Sequence, residues 1–285
     1  MTATQLQRTS TQPTTMSTLL TFRIMLVREV RVIRREFVSF VLRTIMQPFF
    51  FVFVFAYVLP SMAAGEGGAM FVGAGDGPSY STVLVPGLLA SSMLFGGFMA
   101  VSMPLIMELS DNNEIEDRVL APLPVWAVGL EKIVAGALQG LLAAVVVFPA
   151  LYLVHAEGAA PAIDVANWPL LIVVLLSVSL LASALGLLLG TVIDARKIST
   201  IFGVIVVPVT MLGCVYYPWS ALETIPWLQV LVLFNPMVYA SEGLRATLTS
   251  GVGHMDTWAY LLFLVAGTGA LTWLAVRSFT RRVRR

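Results

Sequence analysis

Long apolar runs alternate with short polar connections over most of the chain. About twenty apolar residues in a helix cross the hydrocarbon of a bilayer, so this pattern predicts six membrane-spanning helices. We place them at 40–60, 82–107, 127–154, 168–193, 197–217 and 256–276. The predicted fold class is an all-α integral membrane protein with a transmembrane domain over residues 38–276.

Two different segments precede the first span. Residues 1–16 are rich in Thr, Gln and Ser and have little to bury, which predicts a disordered tail. Residues 17–37 carry apolar side chains every three or four positions, with arginines on another face (Leu19, Phe22, Leu26, Val30, Ile33 and Phe37 against Arg28, Arg31 and Arg35). This pattern predicts an amphipathic helix in the membrane interface. The alternative is a surface helix of a soluble domain, but no such domain follows it.

The connection between the second and third predicted spans is a charged segment, residues 108–126. Asp111 or Asn112 can cap a helix there, and Pro122 and Pro124 end it about two turns later. The segment predicts a short helix along the membrane face that is available to another protein, with a solvated loop as the alternative. The residues of this helix are Asn113, Glu114, Ile115, Glu116, Asp117 and Arg118.

Residues 218–255 are too often broken by proline for a straight span and too apolar for a free loop. The prolines are Pro218, Pro226 and Pro236. The pattern predicts short helices that are half inserted from the outer side. Glu242 and Arg245 are three residues apart and can pair on the helix that Pro236 opens.

Small residues at helical spacing occur in the third and fourth predicted spans. They are Gly136 and Gly140 in one, and Ala182, Gly186 and Gly190 in the other. Such spacing lets helices approach closely. We predict packing within one subunit, with a dimer seam as the alternative.

Charge content and distribution define the class and the orientation. With 58% hydrophobic and 12% charged residues, the chain is far too apolar for a single soluble globule. Sixteen of the 17 lysines and arginines lie in the N-terminal segment, the second loop region, the fourth loop and the tail 277–285, and Arg245 is the exception. Basic loops stay in the cytoplasm. We therefore expect both termini and residues 108–126 on the cytoplasmic side of the inner membrane.

The sequence lacks the motifs of several kinds of catalytic site. Neither lysine, Lys132 or Lys197, follows a glycine, so there is no phosphate-binding loop and we expect no ATP hydrolysis by this chain alone. No G-x-S-x-G or H-E-x-x-H motif occurs. His155 and His254 fall in predicted outer loops, and Cys214 lies in an apolar run. We expect no catalytic residue, cofactor or metal ligand in this chain.

The middles of the predicted spans hold no ionisable side chain, and their polar atoms are mainly hydroxyls. Ion-coupled carriers usually keep an acid, a base or a histidine near the bilayer centre. An apolar route favours an amphiphilic or hydrophobic cargo, with the driving energy supplied by another subunit.

Two stretches carry a resemblance to a known family: EIEDRVLAP at 114–122 and YPWSALETIPWLQVLVLFNPMVYASEGLR at 217–245. With six spans and an N-terminal interfacial helix, the chain resembles the permeases of ABC-2 type exporters along essentially its whole length. That family includes daunorubicin-type drug efflux permeases and permeases for lipo-oligosaccharides, O-antigen and teichoic acid. The positions of the outer motif are Pro226, Asn235, Pro236, Tyr239, Glu242 and Arg245.

The resemblance implies an assembly of two permease subunits, identical or different, with two nucleotide-binding ATPase subunits that bind ATP and Mg²⁺. A groove of each ATPase would receive the helix at 113–118, and the complex would export an amphiphilic drug or lipid-like compound. Phe95, Phe98, Met99 and Tyr216 are candidates for the lining of the route, with simple packing as the alternative.

Other functions stay open at this point. The cargo could instead be a glycolipid or a polysaccharide. A membrane-embedded enzyme acting on lipid would need a cluster of Asp, Glu or His at one membrane face, and a structural membrane protein would tolerate scrambling of 113–118.

Overall fold

The computed structural model describes residues 18–58, 61, 79–110, 124–155, 160–165, 167–193 and 208–283. Within these ranges the regular structure is helical and includes no β-strand, in agreement with the predicted all-α class. A π-helical stretch, Phe53–Val58, extends α2, and 3₁₀ helices cover Trp219–Thr224 and Val232–Phe234. The α-helices are α1 Thr18–Arg35, α2 Phe37–Val52, α3 Tyr80–Ser110, α4 Val125–Leu153, α5 Trp168–Val192, α6 Pro226–Leu231, α7 Pro236–Leu248 and α8 Thr257–Val283.

Five helices in the described ranges are long and apolar enough to cross a membrane: Phe37–Val58, Tyr80–Leu109, Val125–Leu153, Trp168–Val192 and Thr257–Val283. They match five of the six predicted spans. The sixth span was predicted at 197–217, and its residues 197–207 lie outside the described ranges. The predicted tail 1–16 and the predicted helix at 113–118 also lie outside them.

The predicted helical end at residue 217 is wrong. The chain is helical at 208–211 and then forms turns and bends over 212–217. Cys214 has a φ of 52°, a left-handed conformation through which a right-handed helix cannot continue. The turn brings the chain back over the first turns of α3 instead of continuing a span.

The last helix is longer than predicted, because α8 continues beyond residue 276 to Val283. Arginine is a good helix former, and Arg281 and Arg282 lie in the last turn, where positive charge is favourable. The basic tail predicted at 277–285 is therefore helical as far as it is described.

The helices α3, α4 and α5 form the centre of the bundle, where α3 packs against both of the others. Outside this centre, α8 packs mainly on α5, α2 on α4, and α7 on α3, while α1 lies against α4. We call the end of the bundle covered by residues 208–255 the capped end. The opposite end, where α3 ends, α4 begins and α8 carries its arginines, is the basic end.

Glycines set the close approach of α4 and α5 to α3. A Cβ at Gly136 would lie 2.3 Å from Val101 Cγ2, and one at Gly186 would lie 2.6 Å from the carbonyl oxygen of Phe98. Both distances are too short for any larger residue. The predicted use of these small residues for packing within one subunit is confirmed, and α3 covers the surface that a dimer seam would have needed.

Candidate functional sites at the two ends of the bundle

A buried ion pair lies at the centre of the capped end. Glu242 and Arg245 on α7 are both fully buried, and the guanidinium Nη1 donates to Glu242 Oε1. Asn235 and Pro236 start this helix: the Asn235 side chain accepts from the backbone N–H of Met237 at 3.0 Å, and proline is favoured in the first turn. The predicted pairing on the helix opened by Pro236 is present.

Backbone groups from four other places converge on this pair, and we call the arrangement the Glu242–Arg245 hub. The carboxylate accepts from the N–H of Trp219 at 2.9 Å and of Met255 at 2.8 Å. The guanidinium Nη2 donates to the carbonyl oxygens of Cys214 at 2.9 Å and Val83 at 3.2 Å. A buried charge pair is tolerated when further hydrogen bonds satisfy its oxygens and protons, and here the Arg245 Nε alone of the charged groups of the pair has no partner in the described part of the chain. The hub thus joins α7 to α3, to the turn after 211 and to the connections on both sides of α7.

Asn235 makes a second connection between α7 and the preceding chain. Its Nδ2 donates to the Val209 carbonyl at 2.8 Å, and Ser241 Oγ donates to the Gly213 carbonyl at 2.7 Å. The Tyr239 hydroxyl donates to the Leu233 carbonyl at 2.9 Å, while its ring stacks on Phe263 of α8. The outer-motif residues at the start of α7 and within it therefore hold the cap against the preceding chain and α8.

An apolar stripe lies on the outside of the cap. Pro226 opens α6, and four large side chains follow at helical spacing: Trp227, Val230, Leu231 and Phe234, which are 69%, 62%, 48% and 84% exposed. Exposed apolar side chains arranged in this way form a surface suited to lipid or to another protein.

The four candidates for the transport route fall into two places. Phe95, Phe98 and Met99 lie within about one turn of α3 and are half-buried. Tyr216 lies in the turn at the capped end, where its ring packs 5.5 Å from that of Phe51 and the Tyr80 hydroxyl donates to its carbonyl at 3.1 Å. A lining role for these residues remains a prediction.

Several hydroxyl groups inside the spans are bonded to their own helices, whereas the buried Ser102 hydroxyl of α3 has no hydrogen-bond partner in the described part of the chain. Ser91 and Ser92 each donate to the Leu88 carbonyl at 2.8 Å. In α5, Ser179 donates to Leu175 and Ser183 donates to Ser179, also at 2.8 Å. Satisfied in this way, these hydroxyls add little polarity to the interior of the bundle.

A second buried ion pair lies at the basic end. Lys132 Nζ on α4 is 3.1 Å from Glu108 Oε1 and 2.8 Å from Oε2 on α3. Both side chains are largely buried, beside a cluster of apolar residues that includes Leu105 and Ile133. The pair joins the two helices that flank the predicted helix at 113–118, which itself lies outside the described residues.

Sequence reasoning missed this pair and the backbone partners of the hub. The sequence did contain a signal for the Glu108–Lys132 pair, namely an acid and a base close to the two ends of one predicted loop. The backbone partners of Glu242 had no signal, since an N–H group carries no side-chain identity.

Across the described part of the chain, no three His, Cys, Asp or Glu residues are placed to hold a metal ion.

Comparison with known proteins gives one family. The model of a protein family described as ABC-2 type transporter matches residues 21–249. The match includes both ion pairs and the segment at 113–118. A search of curated proteins gives no match.

Proposed function

The chain belongs to the ABC-2 type transporter family and is thus a permease subunit that works with ABC ATPase subunits, and we propose that it exports an amphiphilic or hydrophobic compound from the cell. The family match does not name a cargo. The cargo class is proposed from the interior of the bundle.

One observation carries this choice: acidic and basic side chains in the described spans lie towards the helix ends. Glu108 and Lys132 are paired at the basic end, and the arginines of α8 occupy its last two turns. Between the ends, the hydroxyls of Ser92, Ser179 and Ser183 bond to backbone carbonyls. A route through the described spans therefore offers no charged side chain midway to replace the hydration shell of a small ion, whereas an amphiphile can pass with its apolar part against the apolar side chains.

We propose that the energy enters through residues 113–118, the coupling segment. Its Asn113, Glu114, Ile115, Glu116, Asp117 and Arg118 would lie in a groove of the ATPase subunit, which binds ATP and Mg²⁺. Because Lys132 joins α4 to Glu108 of α3, a displacement of the coupling segment moves the inner ends of both helices together. The complex would contain two permease subunits, identical or different, and two ATPases.

The capped end would close the route on the outside. Its hub ties the cap to α3, and its exposed apolar stripe suits half-insertion into the outer leaflet. Both termini would lie in the cytoplasm and the protein in the inner membrane, as the distribution of arginine indicates.

The test is a reconstitution of the permease with its ATPase in vesicles. The variant Glu116→Lys/Asp117→Lys should insert normally but lose most transport of a fluorescent phospholipid or a fluorescent cationic drug, while ATP hydrolysis becomes independent of that cargo. Glu223→Lys is the control, because Glu223 is exposed in the cap and outside the coupling segment. Undiminished transport by the double variant would refute the coupling role. A wild-type complex that moves neither probe but exports a labelled glycan would refute the cargo class.

A further inference from the structure

A groove of about 520 Å³ runs between α4 and α8 at the basic end of the bundle. Trp126 and Leu130 line it from α4, one turn apart. From α8 the lining begins at Gly269 and continues through Trp273 to Arg277 and Arg281. The function proposed above makes no use of this groove.

The groove changes in character along its length. The Gly269 end is apolar and open, because a Cβ at this position would meet no atom within 4 Å. At the other end, the arginines lie close to the end of α8. At the rise of an α-helix, the twelve residue steps from Gly269 to Arg281 cover about 18 Å. This length is close to the thickness of one hydrocarbon leaflet, about 15 Å.

Positive charge is concentrated at one end of the groove. Arg277 and Arg281 are exposed and one turn apart, and no residue that lines the groove in the described part of the chain is acidic. The Arg277 guanidinium lies 5.0 Å from the centre of the Trp273 ring. This cation–π contact holds one cation at the groove without neutralising its charge.

We propose that this groove binds an anionic phospholipid. The phosphate of the lipid lies between Arg277 and Arg281, and one acyl chain runs past Trp273 and Leu130 towards Gly269. Basic pockets between helices on the cytoplasmic side suit anionic head groups, and tryptophan favours the same depth in the bilayer. Which leaflet the lipid comes from depends on the proposed orientation of the protein. The binding itself depends neither on that orientation nor on the cargo of the transporter.

A second copy of the chain fits the groove less well. A two-fold axis through the groove would bring the same two arginines of each copy against each other, since such an interface pairs a surface with itself. Like charges across an interface oppose association. A lipid phosphate instead complements them.

The experiment is native mass spectrometry of the purified full-length permease in a nonionic detergent, titrated with phosphatidylglycerol or phosphatidylcholine. The wild type should bind the first phosphatidylglycerol more tightly than phosphatidylcholine. Arg277→Gln/Arg281→Gln should lose about 30-fold in phosphatidylglycerol affinity, the effect expected of two cations at a membrane surface, and should lose the preference. Arg34→Gln/Arg282→Gln is the matched control, because it removes two exposed arginines that do not line the groove.

A second variant separates the acyl-chain site from general charge. Gly269→Leu keeps both arginines and places a side chain in the open end of the groove, so it should weaken binding of the first lipid without lowering the thermal stability. Glycerol phosphate, which has the head-group chemistry without acyl chains, should not displace the lipid.

Three results would each overturn the proposal. They are equal affinity of the wild type for the two lipids, an equal loss in the control and groove variants, or a loss of dimer instead of lipid when Arg277 and Arg281 are replaced. The experiment measures neither ATP hydrolysis nor transport. A negative result for lipid binding is therefore separate from any failure of the proposed export function.

Discussion

The ammonium group of Lys132 on α4 contacts both carboxylate oxygens of Glu108 on α3, across 24 residues of sequence. The pair is largely buried, so removing one partner takes its ion pair away from the other buried charge. We expect Glu108→Gln or Lys132→Gln to lower the free energy of unfolding by about 3–5 kcal/mol. The thermal-unfolding midpoint of the purified protein in detergent measures this loss.

The double variant Glu108→Gln/Lys132→Gln is the control for the pair. It leaves neither charge buried, so it should be more stable than either single variant. If the effects of the two single variants simply add, the residues do not act as a pair.

The hub gives a second prediction. Arg245→Ala would leave the buried Glu242 carboxylate without its cation and two backbone carbonyls without their donor. We expect a loss of about 3–5 kcal/mol in the free energy of unfolding and faster proteolysis of the cap near Ser250. Arg245→Lys keeps the charge but cannot reproduce the planar set of donors, so its loss should be intermediate.

Glu223→Ala is the matched control for Arg245→Ala, because Glu223 is a charged residue of the same cap that is exposed. It should digest like the wild type. Unchanged protection of the cap in Arg245→Ala would show that the hub does not hold the cap.

Two glycines give opposite predictions for the same added methyl group. A Cβ at Gly87 on α3 would lie 2.1 Å from the carbonyl oxygen of Val215, whereas a Cβ at Gly269 on α8 meets nothing within 4 Å. Gly87→Ala should therefore destabilise the protein by about 1–3 kcal/mol through overpacking. Gly269→Ala should stabilise it by about 0.5–1 kcal/mol through helix propensity. Thermal unfolding of the two variants side by side tests both, and equal shifts would contradict the described contact between α3 and the turn.

The orientation can be tested with cysteine labelling, because the chain has a single native cysteine, Cys214, and it is buried. Ser250→Cys places a thiol at an exposed position of the capped end, and Arg282→Cys places one at an exposed position of the basic end. A membrane-impermeant maleimide should label Ser250→Cys in intact cells and Arg282→Cys only in opened ones. The reverse result would invert the proposed topology.

Hydropathy predicted the starts of α3, α4, α5 and α8 to within a few residues, because the length of an apolar run is a local property. Hydropathy placed the end of α8 too early. A hydropathy profile ends a span at the first charged residue, but arginine is a good helix former and continues the helix. The turn at Cys214 was missed for a different reason. Its left-handed backbone is set by the closeness of α3 and α7, and an apolar run contains no sign of that closeness.

The candidate sites were predicted in part. Glu242 and Arg245 are three residues apart, so their pairing was visible in the sequence. The backbone groups of Trp219, Met255 and Val83 meet that pair only after the chain has folded. The groove between α4 and α8 was missed because its tryptophans and arginines come from two helices that are distant in sequence.

The five-way junction at Glu242 and Arg245 has a mechanical consequence for the proposed export. Moving any one segment of the cap alone would remove a hydrogen bond from a buried charge that water cannot reach. The segments of the cap therefore resist opening one at a time. In the proposed exporter, cargo would then leave when the cap and α3 tilt together as one rigid body, or through a gap that widens between the two proposed permease subunits.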